Sequence, residues 1–314
     1  MLAATIRGVE LVIEEHPDPE PGAGQVLVSV RAAGLNAADL MQVAGGYPAP
    51  PGSPQDIPGM EVAGEVVSSG PGTTRFKQGD RVMGLVGGGG QAQLAVVNER
   101  VLMPVPDVLG WPEAGGFPEA FTTAHDAVFM QAGLRAGERL LVHGAAGGVG
   151  SAAVQLGRTA GARVTATVRH RDLREYVSRL GASVVLAPDE FTDQGPFDVI
   201  LELVGASNLT GNLRSLATGG RIAVIGTGGG GATGEINLGL LMARRGRIHG
   251  STLRPRAPEE KALAARAVER SVLPFLAAGA IGVPIAATFP LAEAGQAYER
   301  FAAGGKFGKI VLTM

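Results

Sequence analysis

Residues 139–150 read RLLVHGAAGGVG, an apolar run that changes abruptly into glycine and alanine. The run Arg139–His143 predicts a buried strand, and residues 151–159 show the periodicity of a helix. The glycine-rich part therefore lies in the turn between a strand and a helix. Its small residues follow the spacing A-x-G-x-x-G over residues 145–150, with alanine in place of the usual first glycine.

Small residues at such a turn favour a bound phosphate. Backbone N–H groups can approach a diphosphate closely only where side chains are short, and the positive end of the helix then faces the anion. The chain has 49 glycines, so a tight turn that binds nothing is the alternative. Two other glycine runs, Gly87–Gly90 and Gly228–Gly231, precede no helical pattern and are interpreted as flexible turns.

The chain after the glycine turn alternates between strands and helices. Predicted strands are Arg163–Val168, Val184–Leu186, Phe197–Val204 and Arg221–Gly226, and a helix is predicted at Asp172–Leu180. This alternation implies right-handed crossovers and a parallel sheet with helices on both faces. We therefore predict an α/β fold with a doubly wound parallel sheet, the Rossmann arrangement.

The first hundred residues and the tail show a different pattern. Short strands separated by glycine and proline turns are predicted at Gln25–Ala32, Glu61–Ser68, Asp80–Gly84 and Gln91–Val97. A long helix is predicted at Pro258–Ala278 and a final strand at Lys309–Thr313. A chain of 314 residues is about two domains long. We therefore expect a β-rich domain beside the Rossmann domain.

The composition argues against several classes of protein. A net charge of −2 removes the electrostatic case for binding nucleic acid or an anionic membrane. The chain has no cysteine, and its five histidines show no helical ligand pair, so no metal site is expected. The N-terminus lacks the basic and apolar segments of a signal peptide, and no apolar run is long enough to span a membrane. These features predict a cytoplasmic protein.

The end of the second Rossmann strand indicates which dinucleotide binds. NAD sites usually carry a carboxylate there, whereas this sequence reads Val168-Arg169-His170-Arg171 and has its acid only at Asp172. Two guanidinium groups suit a doubly charged 2′-phosphate, because each offers forked donors to it. The pattern favours NADPH over NADH. The alternative is that these residues form a solvated helix entrance.

The sequence as a whole resembles the medium-chain dehydrogenase/reductases, in particular the zinc-independent quinone oxidoreductases of the zeta-crystallin type. The resemblance lies in five motifs: Gly34–Asp39 (GLNAAD), Pro58–Gly64 (PGMEVAG), His143–Gly150, Gly250–Arg256 (GSTLRPR) and Gly308–Val311. The motif Gly250–Arg256, together with residues 42–52, is similar to the stress-inducible subgroup of quinone reductases. Asn36 and Met60 stand where zinc alcohol dehydrogenases have cysteine and histidine ligands. The resemblance therefore implies no metal.

The resemblance also implies a domain division and a set of site residues. A discontinuous GroES-like catalytic domain of residues 1–118 and 255–314 would accompany a Rossmann domain of residues 119–254. Asn36 and Thr123 would bind near the nicotinamide or its ribose, and Tyr47 would stack on the quinone or serve only in packing. The remaining cofactor positions are Ala146, Gly147, Gly148 and Val149 under the diphosphate, Arg169, His170 and Arg171 at the 2′-phosphate, and Gly226, Thr227, Thr252, Leu253 and Phe307 at the nicotinamide.

Several polar residues have plainer interpretations than catalysis. Glu61 is expected to orient backbone or an arginine, and Asp39 to cap a helix. His143 is interpreted as a core residue and Tyr176 as a packing residue. Arg254 and Arg256 follow the sixth Rossmann strand and are candidates for orienting the catalytic cleft or the domain hinge.

Three functions remain open from the sequence. The first is NADPH-dependent reduction of a quinone, whose conjugated ring accepts hydride without a Lewis acid. The second is reduction of the double bond of an enone or alkenal, for which Tyr47 would be the proton donor. The third is a non-enzymatic NADPH-binding protein. The resemblance further implies a homodimer formed through edge strands near Arg247–Ser251.

Overall fold

The computed structural model describes all residues, 1–314. The chain forms two compact units. The first unit comprises Met1–Thr122, Leu253–Gly304 and Gly308–Met314, and the second comprises Thr123–Thr252 and Gly305–Phe307. No helix of the chain is both long and apolar enough to cross a bilayer.

The strands are β1 (Leu2–Arg7), β2 (Glu10–Glu15), β3 (Gln25–Gly34), β4 (Glu61–Ser69), β5 (Arg81–Leu85), β6 (Leu94–Asn98), β7 (Leu102–Pro104), β8 (Arg139–Val142), β9 (Arg163–Thr167), β10 (Val184–Leu186), β11 (Phe197–Glu202), β12 (Leu216–Val224), β13 (Arg247–Gly250), β14 (Ile285–Pro290) and β15 (Lys309–Thr313). The helices are α1 (Ala37–Val43), α2 (Trp111–Gly116), α3 (Pro118–His125), α4 (Gly148–Thr159), α5 (Arg174–Arg179), α6 (Leu209–Arg214), α7 (Leu238–Arg244), α8 (Pro258–Ser271), α9 (Leu273–Ala277) and α10 (Ala294–Ala302). A π-helix, Asp126–Gln131, follows α3 directly.

The first unit is built on a seven-stranded sheet with the order β14-β15-β3-β4-β5-β7, and β6 also pairs with β3. Along β3 the side chains of Val26, Val28 and Val30 are buried, whereas the residues between them are partly exposed. This alternation follows from the two-residue period of a strand. The C-terminal strand β15 runs antiparallel to β3 and places Val311 opposite Gly34.

The second unit is built on a six-stranded parallel sheet with the order β10-β9-β8-β11-β12-β13. Its strand order reverses between β8 and β11, which is the doubly wound arrangement. The prediction of a Rossmann sheet accompanied by a β-rich domain is therefore confirmed. Because all six strands are parallel, their carboxyl ends meet at one edge of the sheet.

One predicted element is wrong. The sequence predicts a single helix over Pro258–Ala278, but α8 ends at Ser271 and α9 begins at Leu273. Pro274 explains the interruption, because proline has no backbone N–H and its ring clashes with the carbonyl one turn earlier in a continuous helix. As the second residue of α9, Pro274 is tolerated.

Candidate functional site

The glycine turn lies at the carboxyl end of β8. Gly144 has a φ of 63°, in the left-handed region that favours glycine. The Ala145 N–H donates to the carbonyl of Thr167 over 3.1 Å, which ties the turn to the end of β9. A Cβ on Gly150 would lie 2.5 Å from the Gly144 oxygen and 2.6 Å from Ala145 Cα. The turn can therefore close over the helix only if residue 150 is glycine.

The helix α4 begins at this turn without a side-chain cap. Its N-cap residue is Gly147, and its first turn carries no acidic residue. Residues 146–149 are partly exposed, whereas Ala145 and Gly150 are buried. The first N–H groups of a twelve-residue helix thus face outward among short side chains. This arrangement fits a dinucleotide diphosphate, because the positive helix end and the backbone donors would both act on the anion.

The end of β9, the neighbouring strand, is positively charged. Arg169, His170 and Arg171 are all exposed, and none of their side chains forms a hydrogen bond or ion pair within the chain. The next residue, Asp172, is exposed as well. The two guanidinium groups are thus free to bind an anion at the sheet edge that also carries the glycine turn.

A C-terminal segment joins the second unit beside these cations. A Cβ on Gly305 would lie 3.8 Å from His170 Cε1, so the backbone passes close to this ring. The Phe307 ring stacks on Tyr176 with 5.3 Å between ring centroids and 30° between planes. Phe307 is therefore the packing partner of Tyr176, which agrees with the interpretation of Tyr176 as a packing residue, although 49% of Tyr176 stays exposed. Phe307 lies on the β9 side of the sheet, whereas Gly226 and Thr227 follow β12.

The remaining sites predicted for the second unit lie beyond β11. A Cβ on Gly226 would lie 2.8 Å from the Leu203 carbonyl oxygen, which allows only glycine at this close approach. Thr227 is exposed. Thr123 lies on α3 and Thr252 follows β13, and their segments are joined by the 3.0 Å hydrogen bond from Ser251 Oγ to the Asp126 carboxylate.

A buried polar network connects three strand ends beneath the glycine turn. His143 is fully buried, with Nδ1 3.0 Å from Thr167 Oγ1 and Nε2 2.8 Å from Asn212 Oδ1. Asn212 in turn donates to Glu202 over 2.7 Å, and Glu202 accepts the Val204 and Gly205 N–H groups. Burial lowers the pKa of His143, which favours its neutral form. The prediction that His143 is a core residue is confirmed.

The first unit contains the other predicted site residues, and Asn36 lies within a buried charged cluster. Asn36 Nδ2 donates to Glu61 Oε1 over 3.0 Å, and Lys309 Nζ lies 2.6 Å from both Asn36 Oδ1 and Glu61 Oε1. The cation beside Glu61 is therefore Lys309, and the predicted role that the structure shows for Glu61 is the orientation of backbone. The other Glu61 oxygen accepts the Glu119 N–H over 2.8 Å.

Asp39 caps α1, as predicted. Its carboxylate accepts the Asn36 N–H over 2.8 Å and the Gly59 N–H over 3.2 Å. Complete burial raises the pKa of Asp39 to about 6, although the hydrogen bond from the Asn36 N–H and the charges of Lys309 and Arg254 oppose the shift.

Tyr47 lies in the irregular segment between α1 and β4 and is partly exposed. Leu253 is buried against Leu85 and Ala264. No group of three or more histidine, aspartate or glutamate side chains is arranged to hold a metal ion. The sequence analysis did not identify Lys309, although a lysine that begins the apolar run KIVLT signals a buried charge in need of a partner.

Comparison with known proteins identifies the family. Residues 22–130 match the alcohol dehydrogenase GroES-like domain, and residues 148–269 match the zinc-binding dehydrogenase domain. The quinone oxidoreductase of Rattus norvegicus is 33% identical over 308 residues, which cover 94% of this chain and 91% of the rat protein. The chain belongs to the medium-chain dehydrogenase/reductase family. The chain is an oxidoreductase of this family, whose members bind a nicotinamide dinucleotide.

Solved structures of medium-chain dehydrogenase/reductases agree over the whole chain. An NAD-dependent alcohol dehydrogenase is 28% identical with a TM-score of 0.87, covering 100% of both chains. A mycobacterial protein solved in complex with NADPH is 27% identical, also with a TM-score of 0.87 and 100% coverage of both chains. These similarities confirm the fold and the family and leave the dinucleotide and the acceptor to be argued from this chain's own residues. The narrower similarity to the stress-inducible subgroup stays a prediction.

Proposed function

We propose that this protein is an NADPH-dependent quinone oxidoreductase that works without a metal. One observation carries the proposal: an uncapped helix N-terminus and two unpaired arginines lie at the same edge of the parallel sheet. The first would take the diphosphate of the dinucleotide and the second its 2′-phosphate. The similarity to quinone oxidoreductases supports the choice of acceptor.

The preference for NADPH over NADH rests on charge at the end of β9. Arg169 and Arg171 offer two unpaired guanidinium groups to a dianionic phosphate, and no carboxylate stands at the strand end to bind ribose hydroxyls instead. His170 lies between them and would add a ring N–H donor. Because Phe307 and Tyr176 stack on this side of the sheet, we propose that they line the adenosine end of the site. This placement replaces the nicotinamide position that the resemblance implies for Phe307.

The turn residues would position the dinucleotide. Ala146, Gly147, Gly148 and Val149 would lie under the diphosphate, and Gly226, Thr227, Thr252, Leu253 and Thr123 would contact the nicotinamide end. When bound, NADPH would supply a hydride. The chain's task is then to bind, to orient and to exclude competing acceptors, which needs no acid or base of its own when the reduced acceptor takes its protons from water.

In the first unit, we propose that Asn36 contacts the nicotinamide or its ribose and that Tyr47 contacts the acceptor. Lys309 donates to one lone pair of the Asn36 amide oxygen. The Asn36 amide nitrogen donates to Glu61 and, over 3.3 Å, to the Gly34 carbonyl oxygen. Asn36 thus retains an oxygen lone pair, which suits acceptance of a hydrogen bond from a ribose hydroxyl or the nicotinamide amide. Tyr47 offers a planar ring to a planar acceptor.

Reduction of an enone or alkenal is the second candidate, and Arg254 favours it. Its guanidinium lies 5.2 Å from the centre of the Tyr47 ring and 3.2 Å from the Tyr47 carbonyl oxygen, so the ring is oriented, as the ring of a proton donor must be. Tyr47→Phe separates the two reactions. It should abolish enone reduction and leave quinone reduction largely intact.

The test of the proposed function is turnover with a panel of acceptors. NADPH oxidation would be followed by nicotinamide absorbance with ortho-quinones, para-quinones and enones. Quinone-dependent oxidation supports the proposal. Tight NADPH binding with no turnover by any acceptor would favour the non-enzymatic alternative. The cytoplasmic location and a homodimer through the edge strand β13 also belong to the proposal, and the mass of the particle in solution tests the second.

A further inference from the structure

Arg254 is buried in the first unit, with 7% of its surface exposed. Its guanidinium donates to three acceptors on three separate segments. Nε donates to the Gly87 carbonyl over 2.8 Å, Nη1 to the Tyr47 carbonyl over 3.2 Å and Nη2 to Gln42 Oε1 over 2.5 Å. Because a guanidinium is planar, these bonds fix the three segments in one arrangement.

The segment that carries Tyr47 has little regular structure of its own. Residues 44–60 form neither helix nor strand and contain five prolines and four glycines in the run AGGYPAPPGSPQDIPGM. Gln55 stabilises part of it locally, since Nε2 donates to the Ser53 carbonyl over 2.9 Å. The Gln42 Nε2 also donates to the Gln55 carbonyl over 3.1 Å. Gln42 therefore binds the segment through its amide nitrogen and binds Arg254 through its amide oxygen.

Tyr47 receives two contacts from the same guanidinium. Besides the hydrogen bond to its carbonyl, the Arg254 charge lies over the ring with 5.2 Å between Cζ and the ring centre. Backbone and ring are thus both oriented by one side chain.

Neighbouring charges allow Arg254 to stay buried. Burial favours the neutral form of Arg254, whereas the negative charges of Asp39, which is fully buried, and Glu119 favour its charged form. Burial is the larger effect and lowers the pKa of Arg254. Lys261 is half-buried and adds a like charge near Arg254, which lowers the pKa of Lys261 further than burial alone.

We propose that Arg254 is a positioning residue that holds Tyr47 and residues 44–56 in one conformation and thereby determines which acceptors the protein uses. The part concerning acceptors rests on the proposed function, whereas the conformational part does not. With Arg254 in place, Tyr47 presents a fixed ring to a planar acceptor. Without it, the segment samples other conformations and recognition of the acceptor is lost, while NADPH binding to the second unit continues.

The test compares Arg254→Met with Arg254→Lys and with a matched control. Arg81 is the control, because it also lies in the first unit, donates to a carbonyl (Leu109 O, 2.9 Å) and lies over an aromatic ring (Trp111, 4.5 Å). The first readout is amide hydrogen exchange by mass spectrometry. Arg254→Met should speed exchange in residues 44–56 and leave β3 and β4 protected, whereas Arg81→Met should leave residues 44–56 unchanged.

The second readout is the kinetics of quinone reduction. Arg254→Met should raise KM for the quinone about tenfold, an effect of the size expected when a coupled contact is lost, and leave the Kd of NADPH unchanged. Arg254→Lys keeps the charge and should recover part of the loss. In a Tyr47→Leu background the Arg254→Met change should raise KM no further, which a general loss of folding would not produce.

The outcomes separate the two proposals. Unchanged exchange in residues 44–56 of Arg254→Met would overturn the positioning role. Faster exchange with an unchanged KM, or equal KM effects with and without Tyr47, would overturn the link to the acceptor. If the wild-type protein reduces no quinone, the proposed function fails and the link to the acceptor fails with it, while hydrogen exchange still decides the positioning role. If Arg254→Met does not fold, Arg254→Lys supplies both readouts.

Discussion

Lys309 Nζ lies 2.6 Å from Asn36 Oδ1, although 273 residues separate the two in sequence. The same ammonium donates to Glu61 Oε1 over 2.6 Å and to the Leu35 carbonyl over 2.8 Å, so its three hydrogens all have acceptors. Lys309 and Glu61 are 5% and 0% exposed as side chains. The pair therefore fixes the orientation of the Asn36 amide from a buried position.

Removing one partner of this buried pair should be costly. Lys309→Met would leave the Glu61 carboxylate buried and uncompensated, and we expect a loss of about 3–5 kcal/mol in the free energy of unfolding. Urea unfolding measures it. The double variant Lys309→Met/Glu61→Gln should lose less, because no charge then stays unpaired.

The exposed pair Arg179–Glu175 provides the control for that experiment. Its side chains are 69% and 73% exposed. Arg179→Met should therefore change stability by less than about 1 kcal/mol. An equal loss in Lys309→Met and Arg179→Met would contradict the account of the buried pair.

Stability should depend on pH through Asp39. Burial raises its pKa in the folded protein to about 6, above the ordinary value of about 3.9. The folded state therefore holds a proton that the unfolded chain has released, and the stabilisation is complete below about pH 4 and lost as pH rises through about 6.

Asp39→Asn removes this titration. The free energy of unfolding of the wild type relative to Asp39→Asn should fall as pH rises from about 4 to about 7. Urea unfolding of both proteins across this range is the measurement. A difference that stays constant, or one that grows in favour of the wild type, would show that Asp39 is not buried as described.

The glycine turn should tolerate no side chain at residue 150. Gly150→Ala places a Cβ 2.5 Å from the Gly144 oxygen, so the turn must move and NADPH should bind about tenfold more weakly or worse. Titration calorimetry measures the Kd. Gly295 is the matched control, since it lies within α10 and a Cβ there meets nothing within 4 Å. Gly295→Ala should keep the Kd and stabilise the fold by up to about 1 kcal/mol.

The dinucleotide preference should follow charge at the end of β9. Arg169→Glu/Arg171→Glu should weaken NADPH binding and shift the preference toward NADH, because carboxylates repel the 2′-phosphate and accept from ribose hydroxyls. The Kd ratio of the two dinucleotides is the measurement. Arg163 lies exposed at the opposite end of the same strand, and Arg163→Glu should leave the ratio unchanged. An unchanged ratio in the double variant would mean that these arginines do not bind the 2′-phosphate.

Local patterns predict much of this protein. The strand and helix around residues 139–159 follow from periodicity and glycine spacing, and the strand Lys309–Thr313 has its predicted bounds. The helix that begins at Pro258 is predicted to continue past Val272, because the apolar spacing continues there. The backbone cannot form one continuous helix through Pro274, so the helix ends at Ser271.

Contacts between distant residues lie beyond such patterns. Arg254 and Gln42 are separated by 212 residues, and their hydrogen bond depends on the packing of the whole first unit. The return of residues 305–307 to the second unit, where Phe307 meets Tyr176, likewise leaves no periodic signal. Sequence motifs indicate which residues bind the cofactor, whereas the buried groups that orient them need the fold.

Oxidation of protein-bound NADPH in a single turnover tests the central claim most directly. Protein treated with a metal chelator would be mixed first with NADPH and then with a para-quinone, and nicotinamide absorbance followed in a stopped-flow instrument. The account predicts that bound NADPH is oxidised at the same rate with and without the chelator. Failure of NADPH to bind, or loss of oxidation after chelation, would contradict it.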